Sequence, residues 1–147
     1  MKTALLFLLL AAIGTAPVVA QKPAPPKPAP AAPAAVEVKD VTPDDVQKLV
    51  AANKDIIIVD VRTSDEFDMG HIAGAKNVNF LGDDFEKDMR ALFGKPIVVH
   101  CATGRRSASA VEVLKSKAFP VIYHMSGGYK AWVGAGKPVV GAAAPGK

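Results

Sequence analysis

The run Ile56-Ile57-Ile58-Val59 sets the tightest limit on what this chain can fold into. Four β-branched residues with no polar residue between them do not suit a strand with one wet face. They suit a strand buried on both faces, as in a parallel sheet covered by helices. Ile97-Val98-Val99 and Val121-Ile122-Tyr123 repeat the pattern. Helical stretches separate these runs. Thr42-Pro43-Asp44-Asp45 reads as a helix start, with Thr42 as N-cap, Pro43 in the first position and acids in the first turn. Residues 84–92 and 107–117 carry further one-sided apolar stripes, and residues 127–133 read as the start of a last short helix carrying Trp132. Strands alternating with helices predict an α/β fold, a three-layer domain with a mostly parallel sheet flanked by helices. Ligands of such sheets sit beyond the carboxyl ends of the strands. Asp60, Cys101 and Met125-Ser126-Gly127 each follow a strand and are expected to meet at one rim.

The acidic residues all lie between Glu37 and Glu112, which separates a folded middle from two ends rich in Ala, Pro, Gly and Lys. Residues 1–20 read as a cleavable secretory signal: Lys2, an apolar stretch, the breakers Gly14 and Pro17, and small residues at Val18 and Ala20. The stretch is short for a spanning helix, which needs ~20 apolar residues. A periplasmic or secreted location is therefore expected, with membrane contact confined to export. Residues 21–35 form a Pro/Ala-rich linker suited to extended polyproline geometry. Residues 36–138 are the expected domain and 139–147 a flexible tail. The net charge of +4 is spread along the chain rather than gathered into a basic patch, which argues against nucleic-acid binding. The single cysteine has no partner for a disulfide, and no Cys/His cluster offers metal-ligand spacing, so no metal is expected. Nothing demands an obligate interface, and a monomer is expected.

The chemistry concentrates in Val98-Val99-His100-Cys101-Ala102-Thr103-Gly104-Arg105-Arg106-Ser107. A strand ends at His100, a tight loop follows, and a helix is expected to begin near Ser107. That path turns the backbone N–H groups of residues 102–106 towards the Cys101 sulfur and forms an anion cradle with the helix N-terminus. A thiol held there ionises more easily, and the thiolate is the nucleophile. The spacing Cys-x4-Arg is one residue shorter than the Cys-x5-Arg of phosphotyrosine-type phosphatases, which would need Arg where this chain has Ser107. A shorter loop cradles a terminal sulfur better than a phosphate. Arg105 and Arg106 beside the thiol suit a small anionic ligand.

Cys101-Ala102-Thr103-Gly104-Arg105-Arg106 resembles the six-residue active-site loop of the rhodanese (thiosulfate sulfurtransferase) family. Val59-Asp60-Val61-Arg62 with Glu66-Phe67 and Gly70–Asn77 resembles that family's N-terminal signature. Gly127-Gly128-Tyr129-Lys130-Ala131-Trp132 resembles its C-terminal signature. The overall layout is similar to single-domain periplasmic rhodaneses. The resemblance implies a Cys101 persulfide, loaded by thiosulfate or another sulfane donor and unloaded by cyanide or a thiol, with no cofactor. It places the sulfur donor against Ala102, Thr103, Gly104, Arg105 and Arg106. A different class of function also fits: a rhodanese-like module that carries sulfur or docks a partner without turnover.

Asp60, Arg62 and Ser107 are expected in supporting roles, the first two as an ion pair that holds the rim. Glu66 and His71 are expected to brace the turn after the strand. His100 is expected to point away from the sulfur, because strand neighbours alternate. His124 reads as structural, Trp132 as a core anchor and Gly127-Gly128 as a tight turn beside the loop.

Overall fold

The computed structural model describes residues 36–141. The proposed signal, the linker and the tail beyond Gly141 lie outside the described residues. Seven strands and five helices follow one another as β1 (Glu37–Asp40), α1 (Pro43–Ala52), β2 (Ile57–Asp60), α2 (Ser64–Asp68), β3 (His71–Ile72), β4 (Lys76–Asn77), α3 (Phe85–Arg90), β5 (Ile97–His100), α4 (Arg105–Leu114), β6 (Val121–His124), α5 (Gly128–Gly134) and β7 (Val139–Val140).

Five strands form an all-parallel sheet in the order β1-β6-β5-β2-β4. The β-branched runs occupy its middle, as their lack of alternation requires. Along β2 and β5 successive residues feed opposite cores. Val59, Ile97 and Val99 join one apolar cluster with Phe85 and Met89 of α3 and Ala110, Val111 and Leu114 of α4. Ile58 and Val98 join the other, with Val46 of α1 and Trp132 of α5. The result is the expected three-layer α/β sandwich, α3 and α4 on one face, α1 and α5 on the other. Trp132 is buried, and its indole N–H donates to the Pro138 carbonyl at 2.9 Å, tying the end of the domain to the core.

Four features depart from the sequence reading. Glu37–Asp40 forms an edge strand, although its mixed polar pattern carries no strand signal. Ser64–Asp68 is a short helix rather than a turn, started by a reciprocal capping box between Thr63 and Glu66. Helix α4 begins at Arg105, not near Ser107, because Gly104 turns into the left-handed region (φ 95°) and serves as its N-cap. Finally, Val139–Val140 pairs antiparallel with His71–Ile72. The ordered chain therefore runs past Pro138, and the flexible tail expected over 139–147 does not include that strand.

Candidate active site

The rim forms where β2, β5 and β6 end side by side. The Val61 N–H donates to the His100 carbonyl at 2.9 Å, and the Met125 N–H donates to the Val99 carbonyl at 3.0 Å. Cys101 is the first residue beyond the central strand β5 and is 1 % exposed. It opens onto a depression of about 410 Å³ lined also by Phe80, Thr103, Arg105, Arg106 and Ser109.

Two glycines give the loop its path. A Cβ on Gly104 would lie 1.9 Å from the Ser126 carbonyl oxygen. The loop therefore presses against the segment after β6 in a way only glycine permits. A Cβ on Gly128 would meet Cys101 O at 2.6 Å. Without it, helix α5 comes close enough for the Tyr129 N–H to donate to Cys101 O at 2.7 Å and the Lys130 N–H to Ala102 O at 3.0 Å. Those bonds hold the Cys101 and Ala102 carbonyls towards α5.

The Gly104 N–H donates to the Cys101 sulfur at 3.2 Å. Burial by itself pushes the Cys101 thiol up. The Ser107 N–H and hydroxyl and the N–H groups of Thr103 and Gly104 outweigh it, and the net shift is downward. The donors are thus Thr103, Gly104 and Ser107, a narrower set than the whole 102–106 loop. Ser107 joins because the early start of α4 makes it the third helical residue, whose N–H has no intrahelical partner. It belongs to the cradle itself rather than to its support.

The arginines divide. Arg106 is bound by Glu66 through both terminal nitrogens, at 2.6 and 2.7 Å. That carboxylate also caps α2 through Thr63. The Arg106 hydrogen bonds are the main reason the Glu66 carboxyl drops to about 2. Arg106 therefore lines the depression as one half of an ion pair. Arg105 is exposed at the lip, and no carboxylate among the described residues lies within ion-pair distance of it.

Asp60 and Arg62 form the ion pair expected of them, fully out of solvent: Arg62 Nη2 to Asp60 Oδ2 is 2.7 Å, and both side chains are almost completely buried. Arg62 also donates to the Gly70 carbonyl at 2.7 Å, and its guanidinium lies 4.1 Å over the Tyr129 ring. One residue thus ties β2, the turn before β3 and α5 together. Asn77 donates to the carbonyls of Asp60 and Arg62, which fixes β4 to the same rim. His100 is wholly buried with Nε2 3.9 Å from Asp60 Oδ2, and burial holds its imidazole below the ordinary value. Val98 and Val99 enter opposite cores, and Cys101 shares the core of Val99. Strand alternation thus puts His100 on the far face from the sulfur. His71 braces α2, stacking on the Phe67 ring at 3.7 Å.

Two residues reach the site that the sequence did not assign to it. His124 Nε2 is 3.0 Å from the Ser107 hydroxyl, and His124 Nδ1 is 3.1 Å from Asp40 Oδ1. Asp40 ends β1 opposite His124 at the end of β6. With that edge strand unread, no sequence signal linked the two.

A family model for the rhodanese-like domain matches residues 42–135. An uncharacterized protein of Bacillus subtilis, YqhL, is 34 % identical over 52 % of this chain, a match that spans only 60 % of that relative's own length. The thiosulfate sulfurtransferase GlpE of Ectopseudomonas mendocina is 31 % identical over 65 % of this chain and 85 % of its own. Among solved structures, a polysulfide-sulfur transferase from Wolinella succinogenes superimposes with a TM-score of 0.59 at 31 % identity, covering 70 % of this chain and 78 % of its own. The chain belongs to the family of rhodanese-like domains, and its relatives include sulfurtransferases.

Proposed function

We propose that the protein is a thiosulfate or persulfide sulfurtransferase that carries sulfane sulfur on Cys101. The observation that carries this reading is a thiol ringed by the donors of Thr103, Gly104 and Ser107 in a short Cys-x4-Arg loop at the floor of an open depression. The Cys101 thiolate attacks the outer sulfur of thiosulfate. The donor's S–S bond breaks, a new S–S bond forms on Cys101, and sulfite leaves with the electron pair. A persulfide donor reacts the same way and releases a thiolate. The cradle holds the negative charge of the persulfide, and Arg105 at the lip attracts the anionic donor. Cyanide or a thiol then attacks the outer sulfur and returns Cys101 to the thiolate. The reading includes location in the periplasm or outside the cell, supported by the signal-like residues 1–20, and action as a monomer.

The test is thiocyanate formation from thiosulfate and cyanide, with mass spectrometry of the protein after exposure to donor alone. Turnover in the wild type, its loss in Cys101→Ser and one added sulfur atom on Cys101 are expected. A Cys101 that never gains sulfur sinks the proposal. Loading without turnover would mark a carrier module instead.

A further inference from the structure

The depression over Cys101 adjoins a second one, of about 270 Å³, lined by Ala102, Met69, Tyr129 and Lys130 together with Arg62 and Glu66. The two share a wall. Arg106 lines the first, Glu66 lines the second, and their side chains are bonded at 2.6 and 2.7 Å. Ala102 follows Cys101 directly, so the second depression begins one residue from the reacting cysteine, about 3.8 Å from Cα to Cα. Thiosulfate has the bulk of about three water molecules, at ~30 Å³ each. It fills part of the first depression, about 410 Å³, and has no use for the second. Together the two have the size of a site for a small organic molecule.

The charges around the second depression are settled except for one. Glu66 is taken by Arg106, and Arg62 by Asp60. Lys130 is exposed, and no carboxylate among the described residues lies within ion-pair distance of it. Arg105 stands in the same way at the lip of the first depression, so each offers one unpaired cation. The Lys130 N–H donates to the Ala102 carbonyl at 3.0 Å, which anchors this residue to the cysteine loop whatever its side chain does. Met69 supplies an apolar surface. It is 65 % exposed, one of three large apolar side chains so open among the described residues, with Leu81 and Val140. An exposed apolar group beside a reactive centre marks a place where carbon is covered. The Tyr129 ring lies beside it in the depression, fixed by the Arg62 guanidinium 4.1 Å away.

We propose that the second depression is a subsite for the body of an organic persulfide: a short peptide whose cysteine carries the sulfur and which bears a carboxylate about one residue away. The subsite rests on the sulfurtransferase reading and narrows its donor. The outer sulfur of the persulfide stands over Cys101 in the first depression. The peptide crosses the Arg106–Glu66 wall, its apolar atoms cover Met69 and Tyr129, and its carboxylate meets Lys130 Nζ. A second carboxylate, where the donor has one, meets Arg105. The Cys101 thiolate attacks the outer sulfur and a new S–S bond forms on Cys101. The donor's S–S bond breaks, and its electron pair leaves on the peptide thiolate. Lys130 and Met69 touch the body of the donor and not the reacting sulfur, so they set specificity.

Glutathione persulfide, with a glycine carboxylate next to its cysteine, is the probe. Thiosulfate and the persulfide of glutathione ethyl ester, whose glycine carboxylate is capped, are the comparators. In Lys130→Ala the ratio of kcat/KM for glutathione persulfide over thiosulfate is expected to fall about two- to fivefold, through KM, as suits an exposed ion pair. Lys130→Arg should restore the ratio, and Met69→Ser should lower it about twofold. With the ester persulfide the Lys130→Ala loss should vanish. An unchanged ratio in Lys130→Ala, or an equal loss with the ester, overturns the subsite. Alkylation of Cys101 by iodoacetamide across pH separates binding from thiol reactivity. A shifted pH profile in Lys130→Ala would place the loss at the sulfur and also overturn it. A binding measurement needs no sulfur transfer: glutathione titrated into full-length Cys101→Ser should move the NMR signals of Met69 and Lys130. Thiosulfate loading without those shifts would sink the subsite and leave the transferase reading standing. Those shifts without loading by any donor would do the reverse.

Discussion

The sulfur cradle and the arginine frame around it are made of different material. The cradle is mostly backbone: N–H groups of Thr103, Gly104 and Ser107 aimed at one sulfur. The frame is side chains: Arg62 on Asp60 in the interior, Arg106 on Glu66 at the mouth. Backbone donors survive any substitution that leaves the loop path intact, so the cradle is sensitive at its glycines and tolerant at side chains such as Ala102 and Thr103. A frame of paired charges has the opposite weakness, because each member left alone is a charge without a partner. The frame should therefore govern stability, and the cradle should govern reactivity.

The sharpest way to break that division is Arg62→Met. It leaves Asp60 fully buried with no guanidinium, keeping only the backbone N–H of residue 62 at 3.0 Å and His100 at 3.9 Å, and removes the contacts to Gly70 and Tyr129. Breaking a buried pair by removing one partner costs about 3–5 kcal/mol. Urea unfolding should show that loss, while the alkylation pH profile of the protein that remains folded stays close to wild type. A large change in thiol reactivity would mean that the frame tunes the sulfur directly.

Gly104→Ala probes the other side. The left-handed backbone costs an alanine about 1–2 kcal/mol, and the new Cβ forces the loop off the Ser126 carbonyl. A smaller stability loss than for Arg62→Met is expected, about 1–3 kcal/mol. Cys101 alkylation at neutral pH should fall about tenfold as the donors leave the sulfur. Full reactivity would show that the backbone donors are not what lowers the thiol.

The same contrast explains what could be read from the sequence. The buried strands were legible because a run such as Ile56–Val59 states its environment without reference to any partner. The cysteine loop was legible because strand end, Gly104 and helix start lie within ten residues. What stayed hidden depends on partners far along the chain. Glu37–Asp40 is an edge strand with a single neighbour, so its sequence needs no apolar run. His124 joins the site only through that strand. Strands β3 and β7 are two residues each and exist through their pairing with each other. Arg106 looked available for an anion because nothing nearby in sequence announced Glu66, forty residues before it, as its partner. The pair Asp60–Arg62 was legible because both members sit at one strand end.

The smallest expected effect, and the finest test of the division, lies at Glu66. Its carboxyl is lowered from the ordinary 4.5 to about 2, first by the Arg106 hydrogen bonds and further by Thr63, against an opposing cost of burial. A carboxylate lowered on folding contributes stability that is fully present above about pH 4.5 and is lost as pH falls towards about 2. The pair is partly open to water, with side chains 30 % and 26 % exposed. Solvent screening therefore reduces its worth to about 1–2 kcal/mol. Glu66→Gln should be less stable than wild type by that amount at neutral pH, and the difference should close between pH 4.5 and 2. Urea midpoints of the two proteins across that range check this. A constant difference would mean that Glu66 acts through its cap on α2 rather than through Arg106. If the frame governs only stability, Cys101 alkylation in Glu66→Gln should match wild type at pH 7. A change there would place Arg106 among the groups that tune the sulfur, because a guanidinium released from Glu66 is free to turn into the depression beside Cys101.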